Sequence, residues 1–195
     1  KLVNAEWLGC FAVTEPDVGS DVAAMTTTAV KDRGHYIING IKTWITYAQF
    51  ADVGLIFTRI NPHLGHLGIS TFIVDLHTPG ISFSPDLEKM DWRAAPTAEI
   101  YFDNVLIPCD SLLGEQGRGF EILMRSLDNI RLTAAACAVG TCQALIDESV
   151  EYATQRVQFG QQIGRFQMVQ NAIAEMVVET EAARLLTYRC ASQKE

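Results

Sequence analysis

The stretch "HYIINGIKTWIT", residues 35–46, decides how the first half of this chain folds. Two β-branched, strand-like runs flank Asn39-Gly40. A type I′ turn needs positive φ at both central residues, and Asn-Gly tolerates it, so the pair predicts a tight β-hairpin. Working outward, "VGLIFTRI" (53–60), "GISTFIVDL" (68–76), "GISFSPD" (80–86) and "AEIYFDNVLI" (98–107) are further strand candidates. Short strands separated by turn residues predict a small antiparallel β-barrel or sandwich. All six prolines (Pro16, Pro62, Pro79, Pro85, Pro96, Pro108) lie in this part of the chain. A β-domain over residues 1–110 is the expectation.

Past Gly119 the period changes. Phe120, Leu123, Met124 and Leu127 fall at i, i+3, i+4 and i+7, one helical stripe. The alanines that follow favour helix and close packing. Residues Gln161 to Gly164 break the pattern and end a long helix. Phe166, Val169, Ile173, Met176 and Val177 open a second amphipathic one. Two helices cannot bury both their apolar faces alone, so residues 111–195 read as part of a helical bundle. Further helices are expected from more chain or a neighbouring subunit. The fold class is α+β by segments.

The formal net charge of −8 over 195 residues excludes sequence-independent nucleic-acid binding, which needs a basic face. No apolar run reaches the ~18–20 residues of a membrane-spanning helix. Cys10, Cys109, Cys137, Cys142 and Cys190 are odd in number, scattered and apolar in setting. They read as buried thiols of a reducing compartment, cytoplasm or mitochondrial matrix, with no zinc or disulfide spacing. His35, His63, His66 and His77 have no partners at ligand spacing, so no metal site is expected. The chain lacks an initiator Met, and Lys1-Leu2-Val3 reads like the interior of a longer protein.

"VTEPDVGSDV", residues 13–22, is a turn marked by Pro16 and Gly19 and loaded with Glu15, Asp17 and Asp21. Three acids make a poor electrostatic phosphate site. Gly19-Ser20 nevertheless offers backbone N–H groups and a hydroxyl, which bind phosphate by dipoles. Taken in order, "FAVTEPDVGSDV", "INGIKTWIT", "FDNVLIP", "GEQGRGF" and "QRVQFGQQIGRFQMVQ" resemble the acyl-CoA dehydrogenase family over essentially the whole chain. The resemblance places residues 1–110 as that family's middle β-domain and 111–195 as the first part of its C-terminal helical domain. The N-terminal helical domain and last helices have no counterpart, so the chain is expected to be a fragment. The family reaction is α,β-dehydrogenation of an acyl-CoA thioester, with a carboxylate taking the α-proton and hydride passing to N5 of FAD.

The resemblance also implies site residues. Phe11, Val13 and Thr14 run along the flavin, with backbone N–H groups at its pyrimidine edge, while Gly19 and Ser20 meet the pyrophosphate. Ser20 also lies beside the acyl-CoA. Trp44, Ile45 and Thr46 match the strand beside the isoalloxazine. Strand alternation puts Trp44 and Thr46 on one face and Ile45 on the other. Asp128 and Arg131, three apart on a helix, contact the substrate; as a bare i,i+3 pair they would be worth little. Arg156, Gln158, Phe159, Phe166 and Gln167 reach the FAD of a neighbouring subunit, which implies a homodimer or homotetramer. An electron-transferring flavoprotein is the implied electron acceptor.

No catalytic base is assigned within the chain. Some family members carry Glu immediately before the helix arginine, but here that residue is Ile130. Glu115 and Glu121 match no catalytic position, so the base is expected beyond residue 195. Ala95-Pro96-Thr97 replaces the common Ser-Asp-Thr strand start, which points to a glutaryl-, cyclic- or carnitinyl-type acyl-CoA. The residues 155–167 also resemble crotonobetainyl-CoA reductase-like members. The alternatives are a non-catalytic fragment or paralogue acting as an oligomerising module, or a related acyl-CoA reductase or oxidase.

Overall fold

Strand β3, His35–Thr46, runs unbroken through the Asn39-Gly40 pair in the computed structural model, which describes residues 1–194. The expected hairpin at that pair is therefore corrected. β3 stays antiparallel to β7 (Thr97–Pro108) from His35↔Pro108 to Thr46↔Thr97, with a register shift between Ile38 and Gly40. Gly40 is a bulge residue with φ +144°, and a Cβ there would stand 2.6 Å from Thr27 Oγ1. The glycine is required by that close approach and by its backbone, not by a chain reversal. The hairpin lies one step earlier. β2 (Thr28–Asp32) turns into β3 through Arg33 (φ 42°) and Gly34 (φ 90°), both positive, as a two-residue type I′ turn demands.

The first compact unit, Lys1–Met124, is built on one curled seven-stranded sheet. β4 (Val53–Arg59) pairs antiparallel with β5 (Ile69–Asp75) along one side. On its other side it pairs with β1 (Gly9–Ala12), in parallel. The path continues through β2, β3 and β7 to the short β6 (Ile81–Phe83). The sheet is thus mostly antiparallel, with parallel steps where β4 meets β1 and where Arg59 of β4 meets Thr28 of β2, which alternation alone did not reveal. Its inner face buries Ile38, Ile45, Ile56, Phe72, Val74, Ile100, Val105 and Ile107 in one core. Each such side chain contributes about 1.5–3 kcal/mol by leaving water. Tyr36 meets Phe72 edge-on at 4.8 Å and spends its hydroxyl on Gln116 Oε1 at 3.1 Å.

The second unit, Arg125–Glu195, carries most of α1 (Gly119–Gln155) and all of α2 (Gln167–Ser192). α1 stops at Gln155, before the stretch expected to end it. There the chain forms a miniature hairpin of β8 (Val157–Gln158) and β9 (Gln161–Gln162). Phe159 (φ 52°) and Gly160 (φ 75°) are its two turn residues. Leu145, Tyr152, Val178, Leu185 and Leu186 are exposed, so both helices present open apolar faces in this chain. The same openness corrects the reading of the cysteines as buried. Cys10 is buried and Cys109 half-buried, while Cys137, Cys142 and Cys190 are exposed on α1 and α2. Among the described residues no helix is long and apolar enough to cross a membrane, and no His/Cys/Asp/Glu cluster could hold a metal.

Candidate functional site

The segment after β1 is tied to β3 at its root. The Thr43 N–H donates to the Thr14 carbonyl at 2.9 Å. Glu15 and Val18 exchange backbone hydrogen bonds of 2.9 and 3.1 Å, closing the Pro16-Asp17 turn. Asp17, Gly19, Ser20 and Asp21 are exposed at the tip, whereas Glu15 is buried.

Glu15 is the residue that sequence reading missed, together with Lys42. Both side chains are shut from solvent and their charges meet at 2.8 Å. The Lys42 ammonium also donates to the Val13 carbonyl at 2.9 Å. The other Glu15 oxygen accepts from the Thr26 N–H at 2.6 Å and the Thr26 hydroxyl at 2.7 Å, while Oε1 also takes the Thr27 N–H at 3.0 Å. One buried carboxylate thus closes the loop from residue 15 to 27 and fixes it to β3. A signal existed in the sequence. Tyr36, Ile38, Gly40 and Lys42 share one parity of β3, so a lysine on the core face needed an anion.

Burial works to raise the Glu15 carboxyl, but the Lys42 ammonium and the Thr26 and Thr27 donors hold it down at about 2. Burial lowers the Lys42 ammonium to about 8 against the pull of Glu15. A carboxyl depressed in the folded state stabilises the fold above its unfolded value, near 4.5, and that contribution is lost as pH falls toward 2. Acid unfolding of the wild type should therefore steepen between about pH 4.5 and 2, and Glu15→Gln should flatten that part of the curve. An unchanged acid limb in Glu15→Gln would count against the role of this carboxylate.

Trp44 stands beside this clamp. The β3–β7 register slips a second time between Lys42 and Ile45, and Trp44 takes a left-handed backbone (φ 60°) with its side chain 57 % exposed. Strained backbone of this kind costs on the order of 1–3 kcal/mol and persists only where the surroundings impose it. Thr46 is likewise exposed. Ile45 is different: it is 2 % exposed, packed in the core, so only its backbone is left to face a ligand. Phe11 packs edge-on against Phe57 at 5.1 Å. The Thr14 N–H finds no backbone acceptor among the described residues. Gly19 has open space where a Cβ would stand and does not have a positive φ.

In the second unit, Asp128 and Arg131 form an i,i+3 ion pair of 3.3 Å with both side chains mostly exposed. They line a groove of about 790 Å³ with Leu132, Leu186, Arg189 and Lys194. Their setting among Leu127, Ile130 and Leu132 does not bury them. Arg156 follows α1 directly, with its N–H on the Tyr152 carbonyl and its own carbonyl taking the Ile163 N–H, both at 2.9 Å. Gln158 ends the first strand of the small hairpin. Phe159 is at its tip, 94 % exposed, with the Phe166 ring 6.2 Å away and perpendicular. Gln167 opens α2.

A curled sheet, a clamped turn with free N–H groups and an exposed strand tryptophan make up a β-domain followed in the chain by two long helices. The family model for the acyl-CoA dehydrogenase middle domain matches residues 10–105, and that for the acyl-CoA dehydrogenase C-terminal domain matches 117–195. The chain belongs to the acyl-CoA dehydrogenase family. It is similar to glutaryl-CoA dehydrogenase of Desulfococcus multivorans, 46 % identical over 196 residues, covering 100 % of this chain and 50 % of that protein. The structure of a glutaryl-coenzyme A dehydrogenase glutaryl-CoA complex superposes with a TM-score of 0.95 at 47 % identity, covering 98 % of this chain and 48 % of that one. The structure of PigA with FAD and proline gives 0.94 at 38 % identity, over 98 % and 50 % of the two chains. The chain spans about half the length of the curated relatives it matches.

Proposed function

We propose that this chain is the middle β-domain (residues 1–110) and the first part of the C-terminal helical domain (111–195) of an FAD-dependent acyl-CoA dehydrogenase. The observation that carries this reading is the unpaired Thr14 N–H, held by the Glu15–Lys42 clamp next to an exposed, left-handed Trp44. These residues fit a flavin. A fixed N–H suits its pyrimidine edge, an aromatic wall suits its ring, and the open Gly19-Ser20 turn suits its pyrophosphate without a basic side chain. Bound FAD would supply the hydride acceptor at N5.

Val13 and Thr14 would present N–H donors, Phe11 and the Ile45 backbone would flank the ring, and Thr46 would offer its hydroxyl. Ser20, Asp128 and Arg131 would touch the acyl-CoA. Arg156 would pair with the pyrophosphate of a neighbouring subunit, where a guanidinium gives charge-assisted bonds. Gln158, Phe159, Phe166 and Gln167 would complete that contact in a homodimer or homotetramer. No residue of the chain is assigned as the α-proton base. Similarity to a glutaryl-CoA dehydrogenase, with Ala95-Pro96-Thr97, favours a glutaryl-type substrate. Electrons would pass to an electron-transferring flavoprotein, and five free thiols fit a reducing compartment.

The full-length protein carrying this chain should hold a flavin with absorbance near ~450 nm that bleaches on adding glutaryl-CoA. Protein that stays colourless with excess FAD would overturn the flavin reading. A stable yellow protein that no acyl-CoA bleaches would leave a binding module instead. Gly19→Ala isolates the pyrophosphate turn. Neither φ nor neighbouring atoms demand glycine there. Fold stability should stay within about 0.5 kcal/mol, while FAD affinity should fall about tenfold, a change of about 1.4 kcal/mol. Equal FAD affinity in the two proteins would remove Gly19 from the site.

A further inference from the structure

We propose that Lys42 is a positioning residue that tunes the bound flavin, by polarising the Val13–Thr14 peptide and strengthening the Thr14 N–H as a donor. The inference rests on the flavin reading above. In a planar trans peptide the carbonyl and the next N–H point in opposite directions. The Val13 carbonyl takes the buried Lys42 ammonium at 2.9 Å. The Thr14 N–H on the other end has no backbone acceptor among the described residues and is only half-buried. A charge-assisted bond at one end of an amide, in a dry setting, strengthens the donor at the other. The Thr43 N–H on the Thr14 carbonyl and the Glu15 carboxylate on the ammonium fix the geometry from both sides.

A donor aimed at the pyrimidine edge matters most when that edge gains charge. Two-electron reduction of a flavin at neutral pH leaves an anion there, so a polarised N–H favours the reduced form over the oxidised one. The Glu15 carboxylate works against this, but it stands one contact further from the peptide than the ammonium does. The position of Lys42 therefore acts on the ratio of the two affinities. A lysine that only clamped the loop would weaken both forms equally.

The test is the midpoint potential of the flavin in the full-length protein, read by equilibration with redox dyes. Glu15→Gln with Lys42→Met removes both charges without stranding either. Glu15→Gln with Lys42→Gln does the same and keeps hydrogen-bonding atoms, so either variant that folds decides. The expected result is at least a tenfold loss in the reduction equilibrium, about 30 mV for two electrons. Lys42→Arg, which keeps a charged donor, should remain within about threefold of the wild type in flavin-saturated protein. An unchanged or raised potential in a folded double variant overturns the proposal and leaves a clamp. A wild-type protein that takes up no flavin defeats the flavin reading itself, a separate and visible failure.

Discussion

Lys42→Met should lower the unfolding free energy by about 3–5 kcal/mol, the effect of leaving a buried carboxylate without its partner. Glu15 would keep the Thr26 and Thr27 donors but lose the ammonium that balances its charge. Its easiest escape is to take up a proton, so the loss should shrink as pH falls. The double variant with Glu15→Gln should regain most of the stability, because exchanging a whole buried ion pair for neutral groups is often near neutral. Denaturant unfolding with unchanged slope would read both effects. A Lys42→Met protein within about 1 kcal/mol of the wild type would show that the pair does not hold the loop.

Gly40→Ala is the second large effect, a loss of about 2–5 kcal/mol. A backbone at φ +144° is strained for any L-residue, which costs about 1–3 kcal/mol. The new Cβ would also meet Thr27 Oγ1, Cα and Cβ at 2.6–2.8 Å, and moving a strand neighbour costs a similar amount. Thr27→Ala would remove only part of the clash, since Thr27 Cα itself lies at 2.7 Å. A thermal melt that shifts by less than about 2 °C would place Gly40 in a loose turn after all.

Much of the fold was legible because it follows from local rules. Strand β4 matches "VGLIFTRI", β5 matches "GISTFIVDL" and β7 matches "AEIYFDNVLI" to within a residue or two. Both long helices follow from apolar spacing. β1 and β2 were not legible. Gly9–Ala12 is four residues long, and its parallel pairing with β4 is non-local. The candidate site divides the same way. Alternation put Trp44 and Thr46 on one face and Ile45 on the other, and the structure exposes the first two and buries the third; the register slip after Lys42 is what turns their parity outward. Alternation did not foresee that a bulge and a left-handed backbone aim Trp44.

The sequence by itself determined that strands precede helices, where the apolar stripes run, and that a glycine at residue 40 serves an unusual backbone. Each is a property of a residue and its near neighbours. Only the tertiary structure decided what that backbone is for. The positive φ of Gly40 makes room for Thr27 across the sheet, while Arg33-Gly34 makes the turn. It also decided that Glu15, one acid among three in a short loop, turns inward to a lysine 27 positions away. Positive φ and acidity are carried by the local sequence. The partner that gives them meaning is set by which strands lie side by side, and that pairing is fixed by burial of the whole sheet at once.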